Sequence, residues 1–379
     1  MSVEVSAASI DSATAARAAC AAAQDKPFPQ DIFTAPQLRW AVVGCGAIAN
    51  QMAQTLALAG RRIQGVANRT HEKAVAFAET YGIPRVYASF DELWADPDID
   101  AVYIATPHNT HITYLRAALA AGKHVLCEKP MAITLEECEQ MVAAADVAGK
   151  QLMIDQNQRF AKAHIRAKEL LDAGRIGRVL TFRTTFGHGG PETWSVDPGT
   201  GSWFFDPKRA AMGAMADLGV HKTDLIQWLI GQTVVSTTAH VTTLDKRDPE
   251  GNLVGVDDNA VCIYRMSGGA VGTMTASWTY YGPEDNSTVI YGTEGVMRIY
   301  DDPAHSIVID RRDGERELYD VEAIQTNDNQ TASGIIDAFV ACLEDGTEPA
   351  IPASSVLPAM RAVFASIESS KTGKTIEIG

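Results

Sequence analysis

The sequence predicts an α/β protein of two domains, the first built on a mostly parallel sheet and the second on an antiparallel one. Its 379 residues exceed what one hydrophobic core usually organises and fit two domains. From Leu38 to about residue 155, short apolar runs alternate with helix-like segments, which is the pattern of βαβ units. After about residue 178, strand-like runs separated by glycine-containing turns replace this alternation.

Six apolar runs in the first domain are expected strands, at 40–44, 61–68, near Val86, and at 100–106, 123–128 and 151–155. Helix-like segments separate them, and two of these segments begin with a capping box, a Ser or Thr followed three residues later by Glu. The two boxes are Ser89 with Glu92 and Thr134 with Glu137. Alternation at these lengths predicts a sheet covered by helices on both faces.

The second domain is predicted from strand-like runs such as VLTFRTTF and GAVGTMTASWTY. Its helices are expected near 161–173, 217–230 and 333–345. Residues 1–37 are Ala-rich and end in a proline-punctuated stretch, so they are expected to form an N-terminal extension or arm. This arm is either disordered or packs on the body of the protein or on a neighbouring subunit. The expected domains are therefore 38–158 and 159–379.

Charge and cysteine content restrict the class of partner. The chain has 47 acidic residues against 32 Lys and Arg, a net charge of −15, so nucleic acid and anionic membranes are not expected partners. The six cysteines are scattered without a CxxC pair, which favours a reducing compartment over a disulfide framework or a zinc site. Without a long apolar run or a secretory signal pattern, the protein is expected to be cytoplasmic.

The segment GCGAIA, which starts at Gly44, has the pattern G-x-G-x-x-A between the first strand and the first helix. Gly44 permits a tight turn, Gly46 lets the backbone approach a pyrophosphate, and Ala49 allows close packing of helix and strand. Amides at the helix N-terminus face the anion. This context predicts dinucleotide binding, with Ala47 and Ile48 among the contacts.

The end of the second strand selects between NAD and NADP. An NAD site usually has an acid there, which accepts hydrogen bonds from the ribose 2′-OH. This chain has Asn68-Arg69-Thr70, so no carboxylate repels a 2′-phosphate, and Arg69 could pair with one. The cofactor is therefore expected to be NADP, with NAD as the alternative because Arg69 could instead stack on adenine.

The segment MADLGVHKTD places Asp217, His221 and Asp224 at positions i, i+4 and i+7, on one face of the expected helix. A carboxylate near an imidazole can accept its N–H, fix its tautomer and stabilise its charged form, which suits proton transfer to or from a hydroxyl. The alternatives are a solvated polar face and a metal site. Nothing nearby in the sequence completes a ligand set, so no metal is predicted.

Two further segments contain candidate site residues. ATPHNTH follows a parallel strand and therefore forms a loop at the carboxyl edge of the sheet, where cofactors lie. Its Thr106, Pro107, His108 and His111 are predicted to contact the cofactor or to begin the next helix. His188 lies in a glycine-rich loop after the first strand of the second domain, and it is a candidate for facing the substrate.

Taken together, GCGAIA, ATPHNTH, GKHVLCEKP, NQRF and DLGVHKTD, in this order and spacing, resemble the glucose–fructose oxidoreductase/inositol dehydrogenase/MocA (Gfo/Idh/MocA) family. The resemblance covers roughly residues 38–372. It implies an N-terminal Rossmann domain and a C-terminal α+β domain for substrate binding and oligomerisation. The open, mainly antiparallel sheet of that domain commonly makes homodimer or homotetramer contacts. Family members mostly oxidise a secondary hydroxyl of a sugar, cyclitol or related polyol, or reduce the ketone.

The resemblance implies that Lys129, Asp217 and His221 are catalytic and meet in one cleft. His221 would remove the hydroxyl proton, Asp217 would support it, and Lys129 would donate to the substrate oxygen while hydride passes between the carbinol carbon and nicotinamide C4. The Lys129–Pro130 peptide bond is expected to be cis.

Further expected cofactor contacts are Glu128, Lys129 and Asn157. The expected substrate contacts are Lys129, Arg159, His188, Trp203, Asp217 and His221, with Trp194 among the loop residues that set specificity.

Two other functions remain open on the sequence. Some relatives use bound nicotinamide for transient oxidation in glycoside hydrolysis, with no net redox change. Others would be non-catalytic sensors that bind a dinucleotide and a protein partner, and these would be expected to lose Lys129 or His221. Two features depart from the family pattern. AAMGAMAD precedes Asp217 where a Gly-Gly-rich run is common, and the 37-residue extension is not a general family feature.

Overall fold

The computed structural model describes residues 2–5, 38–58, 63–195, 199–321 and 334–379. The described residues form two compact units. The first contains residues 38–157 and 334–356, and the second contains residues 2–5, 158–321 and 357–379. The division into 38–158 and 159–379 therefore did not anticipate that 334–356 belongs with the first unit. Of the expected N-terminal arm, all but residues 2–5 lies outside the described residues.

Strands and helices alternate through residue 157. The strands are β1 (Trp40–Val43), β2 (Ile63–Ala67), β3 (Arg85–Val86), β4 (Ala101–Ile104), β5 (His124–Cys127) and β6 (Leu152–Ile154). The helices are α1 (Ala47–Leu58), α2 (His71–Tyr81), α3 (Phe90–Ala95), α4 (His111–Ala120) and α5 (Leu135–Ala148). All strand pairs are parallel, in the order β3-β2-β1-β4-β5-β6. The predicted Rossmann sheet is confirmed.

Local sequence explains where these helices begin. The Oγ of Ser89 accepts the amide of Glu92 at 3.2 Å, and Oγ1 of Thr134 accepts the amide of Glu137 at 3.1 Å. Each bond satisfies one of the amides that the first helical turn leaves without a partner in the helix. Both predicted N-caps are thus confirmed. The Glu of each box accepts the amide one residue before the cap, that of Ala88 or Ile133, instead of the amide of the cap residue itself.

The rest of the chain adds nine strands and four helices in the described residues. The strands are β7 (Val179–Gly187), β8 (Val234–Thr242), β9 (Asn259–Met266), β10 (Val271–Ser277), β11 (Thr288–Gly292), β12 (Gly295–Ile299), β13 (Ile307–Arg311), β14 (Arg316–Tyr319) and β15 (Ile376–Glu377). The helices are α6 (Lys162–Asp172), α7 (Val220–Ile230), α8 (Ile335–Asp345) and α9 (Ala353–Thr372). Helix α8 belongs to the first unit, where the ring of Phe339 lies 5.6 Å from that of Trp40 on β1.

The sheet of the second unit is mixed but mainly antiparallel, as predicted. Its order is β14-β13-β12-β11-β7-β10-β9-β8-β15, and the short strand Ser2–Val5 pairs with β14 at one edge. Within this sheet, only this edge pair and the β7–β10 pair are parallel among the described strands. Helix α7 packs on β7 and β10. The backbone N–H and C=O groups of the central strands form hydrogen bonds to neighbouring strands of the sheet.

One face of this sheet is exposed to solvent in the single chain. Along β9, Ala260, Cys262 and Tyr264 are buried, and the residues between them point to the other face. On that face Val261 is 43% exposed and Ile263 is 50% exposed. The two-residue period is the expected one for a strand with one covered face. No helix among the described residues is long and apolar enough to cross a bilayer.

Candidate active site

The turn between β1 and α1 has the shape that a dinucleotide requires. Gly44 has φ +104°, and a Cβ there would lie 2.3 Å from the carbonyl oxygen of Ala105, so only glycine fits beside β4. At Gly46 a Cβ would meet only that same oxygen, at 4.0 Å, so a side chain would occupy open space in front of the helix. Helix α1 begins at Ala47, and its first amides face this space with a favourable dipole. These residues fit a bound pyrophosphate.

The turn after β2 contains the two residues predicted to select the cofactor. Nδ2 of Asn68 donates to the carbonyl of Thr70 at 2.9 Å and holds the turn. Arg69 is exposed. Burial raises the pKa of Tyr114 on α4, and the positive charge of Arg69 opposes that rise. No carboxylate comes directly after β2, which favours NADP over NAD. The NADP preference stays a prediction.

His111 holds together two loops at the carboxyl edge of the Rossmann sheet. Its ring is fully buried, with Nε2 2.9 Å from the carbonyl oxygen of Thr106 and Nδ1 3.0 Å from that of Pro130. Both nitrogens therefore face backbone carbonyl groups. His111 is also the first residue of α4, which is the second of the two roles predicted for this segment. His108 is buried in a short 3-10 helix, His108–Thr110, which follows Pro107.

Lys129 lies just past the end of β5, and its peptide bond to Pro130 is cis, as expected. Its backbone N–H donates to Oε2 of Glu128 at 3.2 Å. The hydroxyl of Tyr103 donates to the other oxygen of that carboxylate. Burial raises the pKa of Glu128, and the charge of Lys129 opposes that rise. Lys129 is half-buried, and Asn157 begins a 3-10 helix, Asn157–Phe160, after β6.

The segment that contains Asp217 is not a regular α-helix, so that part of the sequence prediction was wrong. Met215–Gly219 forms a π-helix that runs directly into α7. π-Helical turns are rare and are frequently found at functional sites. Asp217 lies in this turn and His221 in the first turn of α7. They are 6% and 2% exposed, which also contradicts the alternative of a solvated polar face.

A buried carboxylate begins the π-helical turn. The amides of Gly213 and Met215 donate to the two oxygens of Asp257, each at 2.7 Å. A Cβ on Gly213 would lie 1.8 Å from the carbonyl oxygen of Asp257. Glycine is therefore required at this point of AAMGAMAD, although the rest of the family's glycine-rich run is replaced. Burial raises the pKa of Asp257 to about 6.

Trp278 orients Asp217, and sequence analysis did not identify it. Its indole Nε1 donates to Oδ2 of Asp217 at 3.0 Å, and Trp278 is fully buried directly after β10. The ring of His221 lies 6.3 Å from that of Phe186 on β7. The acid and the histidine predicted from one motif are thus both buried, and Asp217 accepts a hydrogen bond from Trp278. Nothing local in the sequence connects Trp278 to Asp217.

Arg159, predicted to contact substrate, forms a buried ion pair with Asp224 on α7, and its substrate contact stays a prediction. Nε of Arg159 donates to Oδ2 of Asp224 at 2.7 Å, and Nη2 donates to Oδ1 at 2.5 Å. Burial raises the pKa of Asp224, and Arg159 opposes that rise. The pair ties NQRF to α7, so Asp224 is not available as a metal ligand. The described residues contain no cluster of three or more potential metal ligands.

The remaining predicted substrate residues belong to one aromatic cluster in the second unit. His188 is buried just past the end of β7, and its ring lies 6.5 Å from that of Trp194. Trp194 packs edge-on against Phe204 at 5.1 Å, and Phe204 stacks on Trp203 at 4.0 Å. The guanidinium of Arg209 lies 5.6 Å from the Trp203 ring. The structure thus brings His188, Trp194 and Trp203 together.

Comparison with known proteins agrees with both units. The oxidoreductase family with an NAD-binding Rossmann fold matches residues 38–156, and the GFO/IDH/MocA C-terminal domain matches residues 164–298. A 1,5-anhydro-D-fructose reductase of Ensifer adhaerens is 28% identical over 347 residues, covering 90% of this chain and 98% of that protein. A trans-1,2-dihydrobenzene-1,2-diol dehydrogenase of Mus musculus is 32% identical over 265 residues, covering 69% of this chain and 74% of that protein.

Among solved structures, levoglucosan dehydrogenase in complex with NADH superposes with a TM-score of 0.76 at 26% identity, covering 90% of this chain and 99% of that one. The fold and the site define an oxidoreductase with an NAD-binding Rossmann domain. The chain belongs to the Gfo/Idh/MocA family of oxidoreductases. The family prediction made from the motifs is confirmed.

Proposed function

We propose that the protein is an NAD(P)-dependent dehydrogenase or reductase that acts on a secondary hydroxyl, or the corresponding ketone, of a sugar, cyclitol or related polyol. The observation that carries this proposal is the buried Asp217–Trp278 hydrogen bond one helical turn from His221. A carboxylate and an imidazole held in this way suit removal of a hydroxyl proton. The names of the relatives, an anhydrofructose reductase and a levoglucosan dehydrogenase, support a carbohydrate substrate.

The first unit would hold the cofactor through residues along the carboxyl edge of its sheet. Gly44, Gly46 and the amides of Ala47 and Ile48 would bind the pyrophosphate. Asn68 and Arg69 would face the adenosine ribose, and the loop with Thr106, Pro107 and His108 would lie along the same edge. When bound, the nicotinamide supplies the hydride acceptor or donor. The missing carboxylate after β2 favours NADP, whereas the NADH complex of levoglucosan dehydrogenase supports NAD.

Three side chains would act on the substrate. His221 accepts the hydroxyl proton during oxidation and returns it during reduction. Asp217, held by Trp278, stabilises the positive charge that the imidazole then carries. Lys129 donates a hydrogen bond to the substrate oxygen, where negative charge develops as its proton leaves. His188, Trp194 and Trp203 would contact the sugar through aromatic and polar groups, with Lys129, Asp217 and His221 bound to the reacting hydroxyl.

The exposed sheet face supports a proposal on assembly. Val261, Ile263 and Val271 are each exposed by two-fifths or more, and they project on one side of β9 and β10. Apolar side chains grouped in this way favour burial against another protein surface. We infer a homodimer or homotetramer that uses this face. Light scattering after size exclusion would show an oligomer for the native protein and a monomer for Ile263→Asp.

A substrate screen tests the proposed function. The purified protein is mixed with NAD+ or NADP+ and a panel that includes levoglucosan, myo-inositol and glucose, and the absorbance of reduced nicotinamide is followed. The proposal expects a net rise with at least one polyol. Nicotinamide-dependent cleavage of nitrophenyl glycosides without net absorbance change would support the hydrolase alternative instead. Dinucleotide binding without either activity would support a sensor.

A further inference from the structure

Three adjacent strands of the Rossmann sheet bring Tyr103, Glu128 and Asp155 together next to Lys129. Cys127 on β5 pairs with Ile104 on β4 and with Ile154 on β6. The next residue after β5 is Glu128, and the next after β6 is Asp155, whose amide donates to the carbonyl of Cys127 at 2.8 Å. Their side chains therefore leave neighbouring strands at the same edge. Glu128 is 6% exposed and Asp155 is 4% exposed.

Glu128 accepts more hydrogen bonds than Asp155 does. Glu128 accepts the hydroxyl of Tyr103 and the backbone N–H of Lys129. Asp155 has no such donors, and its Oδ1 is buried without a hydrogen-bond partner among the described residues. The two buried carboxyl groups leave neighbouring strands at the same edge of the sheet, and the charge of Glu128 acts on Asp155. Two ionised carboxylates buried side by side would repel each other with little water to screen them, so we infer that one of the two is protonated.

The donor count decides which acid holds the proton. A buried anion needs several donors, and Glu128 already accepts two. A buried Asp155 anion would have none and would lie next to a second negative charge. Burial raises the pKa of Asp155 well above its usual range, and repulsion from Glu128 raises it further. Both arguments place the proton on Asp155.

We propose that Asp155 is a positioning residue that acts as a neutral acid and donates its proton to Glu128. The pair then carries one negative charge instead of two, next to the positive charge of Lys129. With three donors, the Glu128 carboxylate is fixed in place, and it in turn holds the backbone N–H of Lys129. The proposal extends the proposed function, because it assigns a residue that positions the lysine expected to contact the substrate.

The neighbouring titratable groups leave this charge balance intact near neutral pH. Tyr103 on β4 donates its hydroxyl to Glu128, and Cys127 is the residue before Glu128; burial raises the pKa of both well above their usual values. They are therefore neutral. Lys129 is the cation that lowers the pKa of both acids, through its charge. Lys129 carries one positive charge and the acid pair with one proton carries one negative charge, so the three groups together are neutral.

Infrared spectroscopy tests the protonation state without any need for activity. A protonated carboxylic acid has a C=O stretching band that is well separated from the bands of a carboxylate. The difference spectrum between the native protein and Asp155→Asn, in D2O at neutral pH, should show loss of a protonated-acid band. Loss of carboxylate bands instead would show that Asp155 is ionised and would overturn the proposal, whether or not the proposed function holds.

Two variants test the positioning role. Asn in place of Asp155 keeps a neutral donor for Glu128, so Asp155→Asn should keep kcat and kcat/KM within about twofold of the native values. Asp155→Ala removes the donor and should lower kcat by about tenfold, while KM changes little and NAD(P)H still binds. Equal impairment of both variants, or native activity in Asp155→Ala, would contradict the proposal. If Asp155→Ala does not fold, native-like kinetics in Asp155→Asn still support it, and impaired kinetics still contradict it.

Discussion

Trp278 donates its indole N–H to Oδ2 of Asp217 at 3.0 Å, across 61 residues of sequence and inside a fully buried site. A hydrogen bond to a charged group is worth about 1.5–3 kcal/mol. Asp217 must support the charge on His221 in the proposed reaction. Trp278→Phe keeps the aromatic packing and removes only the donor. We therefore expect kcat to fall by about 10- to 100-fold, with little change in cofactor affinity.

Steady-state kinetics and NAD(P)H fluorescence titration check this prediction. Trp94→Phe is the matched control, because Trp94 lies on α3 of the other unit and its ring packs against Phe90. That variant should keep native kinetics. A native kcat in Trp278→Phe would show that the indole does not support the reaction.

Removing one partner of the buried Arg159–Asp224 ion pair should strongly destabilise the protein, and removing both should restore most of the stability. Arg159→Met leaves Asp224 as an uncompensated buried charge and should cost about 3–5 kcal/mol of unfolding free energy. The double variant Arg159→Met, Asp224→Leu removes both charges and should recover most of that loss. Urea denaturation measures both. Arg166→Met, which removes an exposed pair with Glu169, is the control and should cost under about 1 kcal/mol.

A double variant no more stable than Arg159→Met would contradict the assignment of the loss to an unpaired charge. The result also bears on the sequence prediction for Arg159. If the guanidinium has this structural role alone, sugar affinity in the folded double variant should stay close to native.

Arg69 tests the choice of cofactor. Arg69 is exposed in the turn directly after β2, where a 2′-phosphate is expected, so Arg69→Gln should weaken NADP binding by about tenfold or more and leave NAD binding nearly unchanged. Fluorescence titration with both reduced cofactors gives the ratio. Arg116→Gln, an exposed arginine on α4, is the control. Equal losses for NADP and NAD would contradict the predicted 2′-phosphate contact.

Lys222 should make stability depend on pH. It is fully buried on α7, where Nζ donates to the carbonyl of Asn286 at 2.9 Å, and burial lowers its pKa to about 7. Between about pH 7 and its usual pKa of 10.5, the unfolded chain binds a proton that the folded protein has released. Stability must then rise with pH across this window, by at most about 5 kcal/mol.

Urea denaturation of the native protein and Lys222→Met at several pH values isolates this contribution. Met has a similar length and no ammonium group, so the native free energy of unfolding should rise more steeply between pH 7 and 10 than that of the variant. Parallel curves would show that Lys222 titrates alike in the folded and unfolded states.

Features that depend on neighbouring residues were predictable from the sequence. The Rossmann alternation, the Gly44 turn and the N-caps at Ser89 and Thr134 each rest on residues a few positions apart, and all are confirmed. Helix α9 was not predicted, because it contains Pro358, which a local pattern associates with a helix end. Residues 334–356 belong to the first unit because they pack with strands that are distant in the sequence. A single sequence does not show which distant segments pack together.

The same limit applies to the site. The motifs identified Lys129, Asp217 and His221 as residue types at characteristic spacings, but they gave no information about partners. Arg159 and Asp224 lie 65 residues apart, so the sequence could not show that they pair. Asp155 was not identified for a related reason. Its role depends on the parallel register that places it next to Glu128.

In the proposed function, Lys129 and His221 carry out hydride-coupled proton transfer on a sugar or polyol hydroxyl. The most direct test measures single-turnover nicotinamide reduction by the native protein, Lys129→Met and His221→Asn, using the best polyol from the screen. We expect each variant to reduce the cofactor about 100- to 10,000-fold more slowly while still binding it. Near-native single-turnover rates in either variant would contradict the proposed role of that residue.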